Sequence, residues 1–311
     1  MFHPFQPQMV IGGTFTGQIV LWDTRIGGHQ PCHKTPLSVG HTHPVYSMSV
    51  IGSANAHSIL SISTDGLACT WQPDRLGQPS SVLELSFPTH MRTDEVAVTA
   101  LAFPSNSSDN INKNVYAESD LFFVGTEEGK IYQGSRMDRA GSKAGLFPHD
   151  TYKGHSAPVT SISFHPSSSS SGGGNYTVNS KGRNNFTVTD SEPALTDSTT
   201  TTNTNNNNDN FDNFSIYSGP SKLFLSCAMD WTVRIWKAKS MNKPSVVPTV
   251  IEPLLTLEGS ADSVISDAKW HPTRPNLLGA VNGAGIFDLW DLNLDHQVRQ
   301  GRIGGDVERR M

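Results

Sequence analysis

Two quartets of residues that could do chemistry recur in this sequence at one spacing. His41, Ser61, Asp65 and Trp71 match His155, Ser226, Asp230 and Trp236; in both, the Ser stands four positions before the Asp and the Trp six after it. Ser, His and Asp make up a hydrolytic triad, in which the His takes the proton of the attacking hydroxyl and the Asp orients the ring. That chemistry needs the hydroxyl raised on a strained turn, and no G-x-S-x-G elbow surrounds either Ser. A nucleophile is needed once, whereas this set occurs twice at repeat spacing, so no catalytic residue and no enzyme is expected. His29, His33, His41 and His43 raise the question of a metal. Only Cys32 lies at ligand spacing among them, and Pro31 and Pro36 mark a loop, so loop histidines are the default reading and no metal site is expected. Gly-rich phosphate loops, HExxH and a Walker sequence do not occur, and nothing calls for a cofactor.

The elements that carry these residues repeat as well. One unit begins at Gly154-His155, runs through PVTSISFHP (158–166), resumes at KLFLSCAMD (222–230) and ends in WTVRIWK (231–237). Others start at Gly40-His41 with PVYSMSV (44–50), SILSISTDG (58–66) and LACTW (67–71), and at EVAVTALAFP (95–104) with DLFFVGTEEG (120–129) and KIYQGSR (130–136). The last is SVISDAKWHP (263–272), NLLGAVNGAG (276–285) and IFDLWDL (286–292); the chain also opens inside a unit, with FHP (2–4), MVIGG (9–13) and GQIVLWD (17–23). Each unit reads as three short strands with a weaker fourth, and the third strands carry Trp22, Trp71, Tyr132, Trp236 and Trp290. Runs such as LFLSCA and IVLW are almost continuously apolar, as expected of a sheet covered on both faces by its neighbours. Thr64-Asp65-Gly66, Glu127-Glu128-Gly129 and Asn282-Gly283 supply the chemistry of tight turns.

These residues resemble WD-repeat proteins, so the fold class expected is all-β: a WD-repeat β-propeller with about four and a half blades of an expected seven. In WD repeats the residues equivalent to the two quartets form a hydrogen-bonded chain from the turn Asp through His and Ser to the indole N–H. A buried Trp needs an acceptor and a buried His needs both ring nitrogens satisfied, so such a set locks one blade geometry. The third and last units lack the set and are expected to be held by packing alone.

A narrower resemblance rests on FHPFQPQMVIGGTFTGQIVLWDTR (2–25), NAHSILSISTDG (55–66), FFVGTEEGKIY (122–132), GSKAGL (141–146), DWTVRIW (230–236) and KWHPTRPNLLGAVNGAGIFDLWDLN (269–293). These segments are similar to the C-terminal propeller of cytoplasmic dynein intermediate chains. The resemblance implies a non-catalytic scaffold subunit of a microtubule motor, cytoplasmic and associated with microtubules, whose propeller binds the dynein heavy chain. It further implies light chains and dynactin as partners, but only through a region before the propeller that this sequence lacks. A generic WD-repeat adaptor, of a ubiquitin ligase or a vesicle coat, is the alternative. Propeller partners dock on loops at one face through aromatic and Arg anchors, which singles out Trp231, directly after the Asp230 turn, and then His43 and Tyr46.

Composition narrows the partners. The formal net charge of −5 supplies no basic excess for phosphate neutralisation, so nucleic acid is not expected. No apolar run approaches the roughly 18 residues that span a bilayer, so no membrane insertion is expected. Three widely spaced cysteines without a CxxC fit reduced thiols. The propeller is expected over 1–293 with a flexible tail over 294–311. SSSSSGGG and TTTNTNNNNDN mark 167–220 as a disordered insertion between the first and second strands of one blade, since such composition cannot offset its ordering entropy.

Overall fold

The computed structural model describes residues 1–26, 30–86, 96–104, 115–116, 120–138, 143–166, 175–179, 185–189, 214–216, 223–239, 247–260, 262–274 and 276–292. Among them every regular element is a strand, and the strands form five blades of a partial β-propeller and one small separate sheet. Blade 1 contains β1 (Met9–Gly13), β2 (Ile19–Asp23) and β3 (His33–Lys34), with a bridge from Phe2 to Val10 in the place of a first strand. Blade 2 contains β4 (Val45–Ser53), β5 (Ala56–Ser63), β6 (Leu67–Trp71) and β7 (Ser81–Glu84). Blade 3 begins with β8 (Val98–Ala102); the next strand in the chain, β9 (Val115–Tyr116), pairs with β4 of blade 2 instead. Blade 3 then continues with β10 (Leu121–Thr126), β11 (Lys130–Ser135) and β12 (Gly145–Lys153).

Blade 4 starts at β13 (Val159–Phe164) and is then interrupted by the insertion. The described parts of 167–220 are β14 (Asn175–Asn179), β15 (Asn185–Thr189) and β16 (Phe214–Ile216), which pair as a separate antiparallel sheet. The rest of that stretch, like the tail 294–311, lies outside the described residues. Blade 4 resumes with β17 (Leu223–Ala228) and β18 (Thr232–Lys237). The next strand, β19 (Thr249–Ile251), crosses back to pair in parallel with β12 on the outer edge of blade 3, and β20 (Leu255–Glu258) then completes blade 4. Blade 5 is β21 (Ile265–Trp270), β22 (Leu277–Asn282) and β23 (Phe287–Asp291). The strands β10 and β17, whose sequences do not alternate, are buried at every position.

Four of the five third-strand aromatics hold equivalent places: Trp22, Trp71, Trp236 and Trp290 stand five residues after the turn positions Gly17, Gly66, Trp231 and Gly285. Tyr132 stands three after Gly129, and Gly134, opposite Phe122, fills the equivalent place in blade 3. Trp22, Trp71, Tyr132, Trp236 and Trp290 stand opposite Val10, Ile59, Val124, Phe224 and Leu278 of the second strands. Each of the last four packs toward the blade before it. Trp71 joins Ile11, Ile19 and Leu21 of blade 1; Tyr132 joins Leu60 and Ile62 of blade 2. Trp236 joins Phe123 and Tyr152 of blade 3, and Trp290 joins Leu225 and Ile235 of blade 4. The core is thus four clusters, one at each blade interface. Burying one such side chain contributes about 1.5–3 kcal/mol, so the interfaces carry most of the fold.

The first strands line the inside of the arc, with β8 beside β4, β13 beside β8 and β21 beside β13. Each of these four strands carries a bulge at its second residue: Tyr46, Thr99, Thr160 and Ser266 are the residues left without a register partner. Because each blade is an antiparallel meander, the turns between second and third strands and the connections to the next blade emerge at one end, here called the turn face. The insertion leaves from the other end, where His165 N–H donates to the Leu223 carbonyl at 3.0 Å.

Candidate functional site

Both quartets are assembled by the same local logic. The first strand of the blade starts just after a Gly-His pair, the Ser sits inside the second strand, the Asp in the following turn and the Trp in the third strand. In blade 2, Trp71 Nε1–H donates to Ser61 Oγ at 2.8 Å, Ser61 Oγ lies 2.7 Å from His41 Nε2, and His41 Nδ1 lies 3.2 Å from Asp65 Oδ2. In blade 4, Trp236 Nε1–H donates to Ser226 Oγ at 2.7 Å, Ser226 Oγ lies 2.7 Å from His155 Nε2, and His155 Nδ1 lies 3.0 Å from Asp230 Oδ2. An ionised Asp only accepts, so it fixes the proton of a neutral ring on Nδ1; Nε2 then accepts from the Ser hydroxyl, whose oxygen accepts from the indole. Each Asp also caps the neighbouring backbone. Asp65 accepts from Thr42 N–H at 2.9 Å and Leu67 N–H at 3.1 Å, and Asp230 from Ser156 N–H at 3.1 Å and Thr232 N–H at 3.2 Å.

The Gly of each Gly-His pair has a steric role. A Cβ on Gly40 would stand 2.5 Å from the Trp71 ring, and one on Gly154 would stand 2.9 Å from the Trp236 ring. Only a bare backbone lets the indole close over the start of its blade.

The electrostatics follow from burial. Desolvation lowers the His155 pKa and outweighs the Asp230 carboxylate that raises it, so the ring stays neutral. Burial, the largest single influence, would raise Asp65 and Asp230; the hydrogen bonds to His41 and His155, their charge attraction and the bonds from neighbouring groups (backbone N–H and, at Asp230, the Thr232 hydroxyl) together outweigh it and hold both carboxyls below the usual range. Ser, His and Asp therefore stand in triad order with triad distances. The hydroxyls are useless to a substrate: Ser61 and Ser226 are 0% exposed, and each oxygen already accepts an indole N–H. The geometry is that of a clamp inside the blade.

The candidates for partner contact all lie on the turn face. Trp231 is 47% exposed and has φ 65°, the only positive φ outside glycine among the described residues. Tyr46 is 57% exposed and occupies the bulge of β4. His43 is exposed, and its Nδ1 lies 3.5 Å from Thr64 Oγ1 across the turn. No hydrogen bond or ring contact joins these three to one another. Phe15, 85% exposed in the blade 1 turn, and Leu37, 69% exposed before blade 2, share this face without a motif that singles them out in the sequence. Their signal was an apolar residue in a turn. Of the histidines weighed as ligands, His29 lies outside the described residues, His33 is exposed, and His41 is committed to Ser61 and Asp65. Among the described residues no three His, Cys, Asp or Glu side chains gather as a metal set.

One expectation needs correction. Blades 3 and 5 are not held by packing alone. Thr99 Oγ1 donates to the Val159 carbonyl at 2.6 Å, tying blade 3 to blade 4, and Thr160 Oγ1 donates to the Ile265 carbonyl at 2.7 Å, tying blade 4 to blade 5. Trp270 Nε1–H adds a bond to the Ser163 carbonyl at 3.2 Å. The repeated Val-Thr of AVTALAF and PVTSISF was the available signal: the bulge turns its extra residue toward the next blade, and Thr supplies a donor there. In blade 5, Asp288 takes over capping work and accepts from Ser260 N–H at 2.9 Å.

Comparison with known proteins agrees with this geometry. The WD domain, G-beta repeat, family matches residues 147–179 and 213–237, which cover the last strand of blade 3 and most of blade 4. Over 303 residues, 97% of its length, the chain is 32% identical to cytoplasmic dynein 1 intermediate chain of Drosophila melanogaster. It spans 34% of the length of that relative.

Proposed function

Because the chain is a WD-repeat protein similar along nearly its whole length to cytoplasmic dynein intermediate chain, we propose that it is a non-catalytic scaffold subunit of the dynein motor whose propeller binds the heavy chain. The observation that carries this reading is the combination of that likeness with a site chemistry turned wholly inward. The polar quartets hold the blades rigid, and what remains for function is the array of turns on one face, with Trp231, Tyr46 and His43 as contact candidates. A rigid sheet array that presents loops suits binding, not turnover. Its place is the cytoplasm on the microtubule cytoskeleton. Light-chain and dynactin binding are not assigned to the described residues, and no helix among them is long and apolar enough to cross a membrane.

Affinity capture of the tagged full chain followed by mass spectrometry tests the proposal. Dynein heavy chain should dominate the co-purifying proteins. Capture of ubiquitin-ligase or vesicle-coat subunits in its place would replace this reading with the adaptor alternative.

A further inference from the structure

We infer that His3 and His57 form a pH-sensitive latch, which fastens the segment before β1 to blade 2 while both rings are neutral and releases it when they are protonated. The latch stands at the end of the blades opposite the turn face and does not depend on the heavy-chain reading.

His3 caps the turn that leads into β1. Phe5 N–H and Gln6 N–H donate to its Nδ1 at 3.2 and 3.1 Å. A neutral ring that accepts at Nδ1 carries its proton on Nε2. That Nε2 is buried without a partner, in a residue only 3% exposed. Against it lies His57, half-buried near the start of β5. The two ring centroids are 4.5 Å apart with the planes at 69°, and His57 Nδ1 is likewise buried without a partner. The Phe5 ring closes the cluster, 6.0 Å from His3 and 5.6 Å from His57. Orphaned buried nitrogens on two rings in contact are rare enough to call for a role. His271 makes the same cap in blade 5, to Thr273 N–H and Arg274 N–H at 3.2 and 3.0 Å, with a half-exposed ring and no orphaned nitrogen. The cap alone therefore does not require the buried pair.

Protonation is incompatible with this arrangement at either ring. A second proton on His3 must go to Nδ1, where it would point at the two N–H groups that now donate there. A charged His57 would set a cation against the His3 ring where water does not reach. Burial, and then the His57 charge, lower the His3 pKa. His57, from β5, is the titratable group that faces His3. The charges on the segment's other flank are occupied: the Met1 ammonium donates to the Ile11 carbonyl at 2.7 Å, and Asp23 and Arg25 pair with each other at 2.6 Å. On release the segment gives up the bond from His3 N–H to the Met9 carbonyl, 2.9 Å, and its pairing with Val10 and Ile11. The edge of β1 is then bare, and an unpaired edge is a template for another strand.

Hydrogen exchange of the full chain, read by mass spectrometry and corrected for the intrinsic effect of pH, tests the latch at pH 7.5 and 5.5. A ring that takes up its proton near pH 6.5 only when released favours the open form about tenfold more at the lower pH. Protection of residues 2–11 should therefore fall by about tenfold or more, while that of β10 in blade 3 stays constant. His3→Asn, whose side-chain oxygen can still cap the turn, should show protection that does not change with pH, whatever its level. His57→Phe keeps a ring in place and should show a smaller fall than the wild type. Constant protection in the wild type, or an equal loss in β10, would overturn the inference, as would a wild-type fall in His3→Asn. An undiminished fall in His57→Phe would reduce the pair to a single titrating cap and overturn the latch.

Discussion

Replacing Ser226 with Ala removes one oxygen and leaves two groups without partners inside blade 4. The Trp236 indole N–H, in a side chain 0% exposed, loses its acceptor at 2.7 Å, and His155 Nε2 loses its donor at 2.7 Å. Neither group can turn to water, because the Trp236 side chain, packed against Tyr152 and Phe224, and the His155 side chain are both fully buried. An orphaned buried polar group costs about 1–3 kcal/mol, so the variant should lose roughly 2–5 kcal/mol. A double-mutant cycle separates this from lost packing. Trp236→Phe removes the indole N–H, so in the Ser226→Ala, Trp236→Phe double variant that donor is no longer orphaned. The two changes should then fall short of additivity by about 1–3 kcal/mol. Urea unfolding followed by tryptophan fluorescence, with circular dichroism for the variants lacking Trp236, gives all four values. A loss below about 0.5 kcal/mol for Ser226→Ala, or strict additivity of the pair, would refute the idea that this oxygen joins the Trp to the His.

Three further outcomes follow from the same structure. The burial-lowered pKa of His155, and that of His3, lowered by burial and by His57, mean that these rings take up a proton on unfolding more readily than when folded. Their contribution is complete above the unfolded pKa of about 6.5 and is lost as pH falls below it, so the melting temperature should be level from pH 8 to 7 and fall toward 5.5; a rise over that range would contradict it. Gly129→Ala should destabilise by about 1–2 kcal/mol from φ +80° alone, and further because the new Cβ would stand 2.5 Å from the His155 carbonyl. Gly77→Ala, which meets nothing within 4 Å, is the control in the same urea titration and should be near neutral. Burial, aided by Asp65, pushes the Cys69 thiol up to about 12, and burial pushes Cys227 up to about 11, so iodoacetamide at pH 8 should label the partly exposed Cys32 alone until denaturant is added, as read by mass spectrometry.

The parts of the fold that the sequence displayed are those in which one residue type has one job. A third-strand Trp, which recurs at one place in four blades, and a Gly before His and an Asp in the turn, which recur together in two, each report a local requirement, so period alone revealed them. Less visible were features whose cause lies in a neighbour. The bulge residues Thr99 and Thr160 look like ordinary strand threonines until the next blade's carbonyl is placed beside them. Tyr46 occupies the same bulge without a comparable bond, which is why its exposure could not be separated from packing in advance. The strain at Trp231 was equally hidden: its position after Asp230 was evident, but that glycine fills the place in four other blades emerges only from the backbone angles. Residues 249–251 gave no sign that they would leave their own blade, because parallel pairing depends on an edge supplied by another part of the chain.

That excursion alters how the molecule can come apart. By lying along β12, with Thr249, Val250 and Ile251 beside Asp150, Thr151 and Tyr152, the segment clasps two successive blades from outside. Lys239 tightens the clasp: its Nζ donates to Asp150 at 2.9 Å and its backbone N–H to the Tyr152 hydroxyl at 2.8 Å. Blades 3 and 4 therefore behave as one foldon, and their amides should exchange with deuterium in a single opening event while blades 1 and 5 open alone. Blade 4 carries the long insertion and is fastened to the neighbour that has no His–Ser–Trp clamp of its own. The excursion thus lets the weaker blade borrow rigidity from the clamped one, at the point where an inserted loop would otherwise loosen the arc.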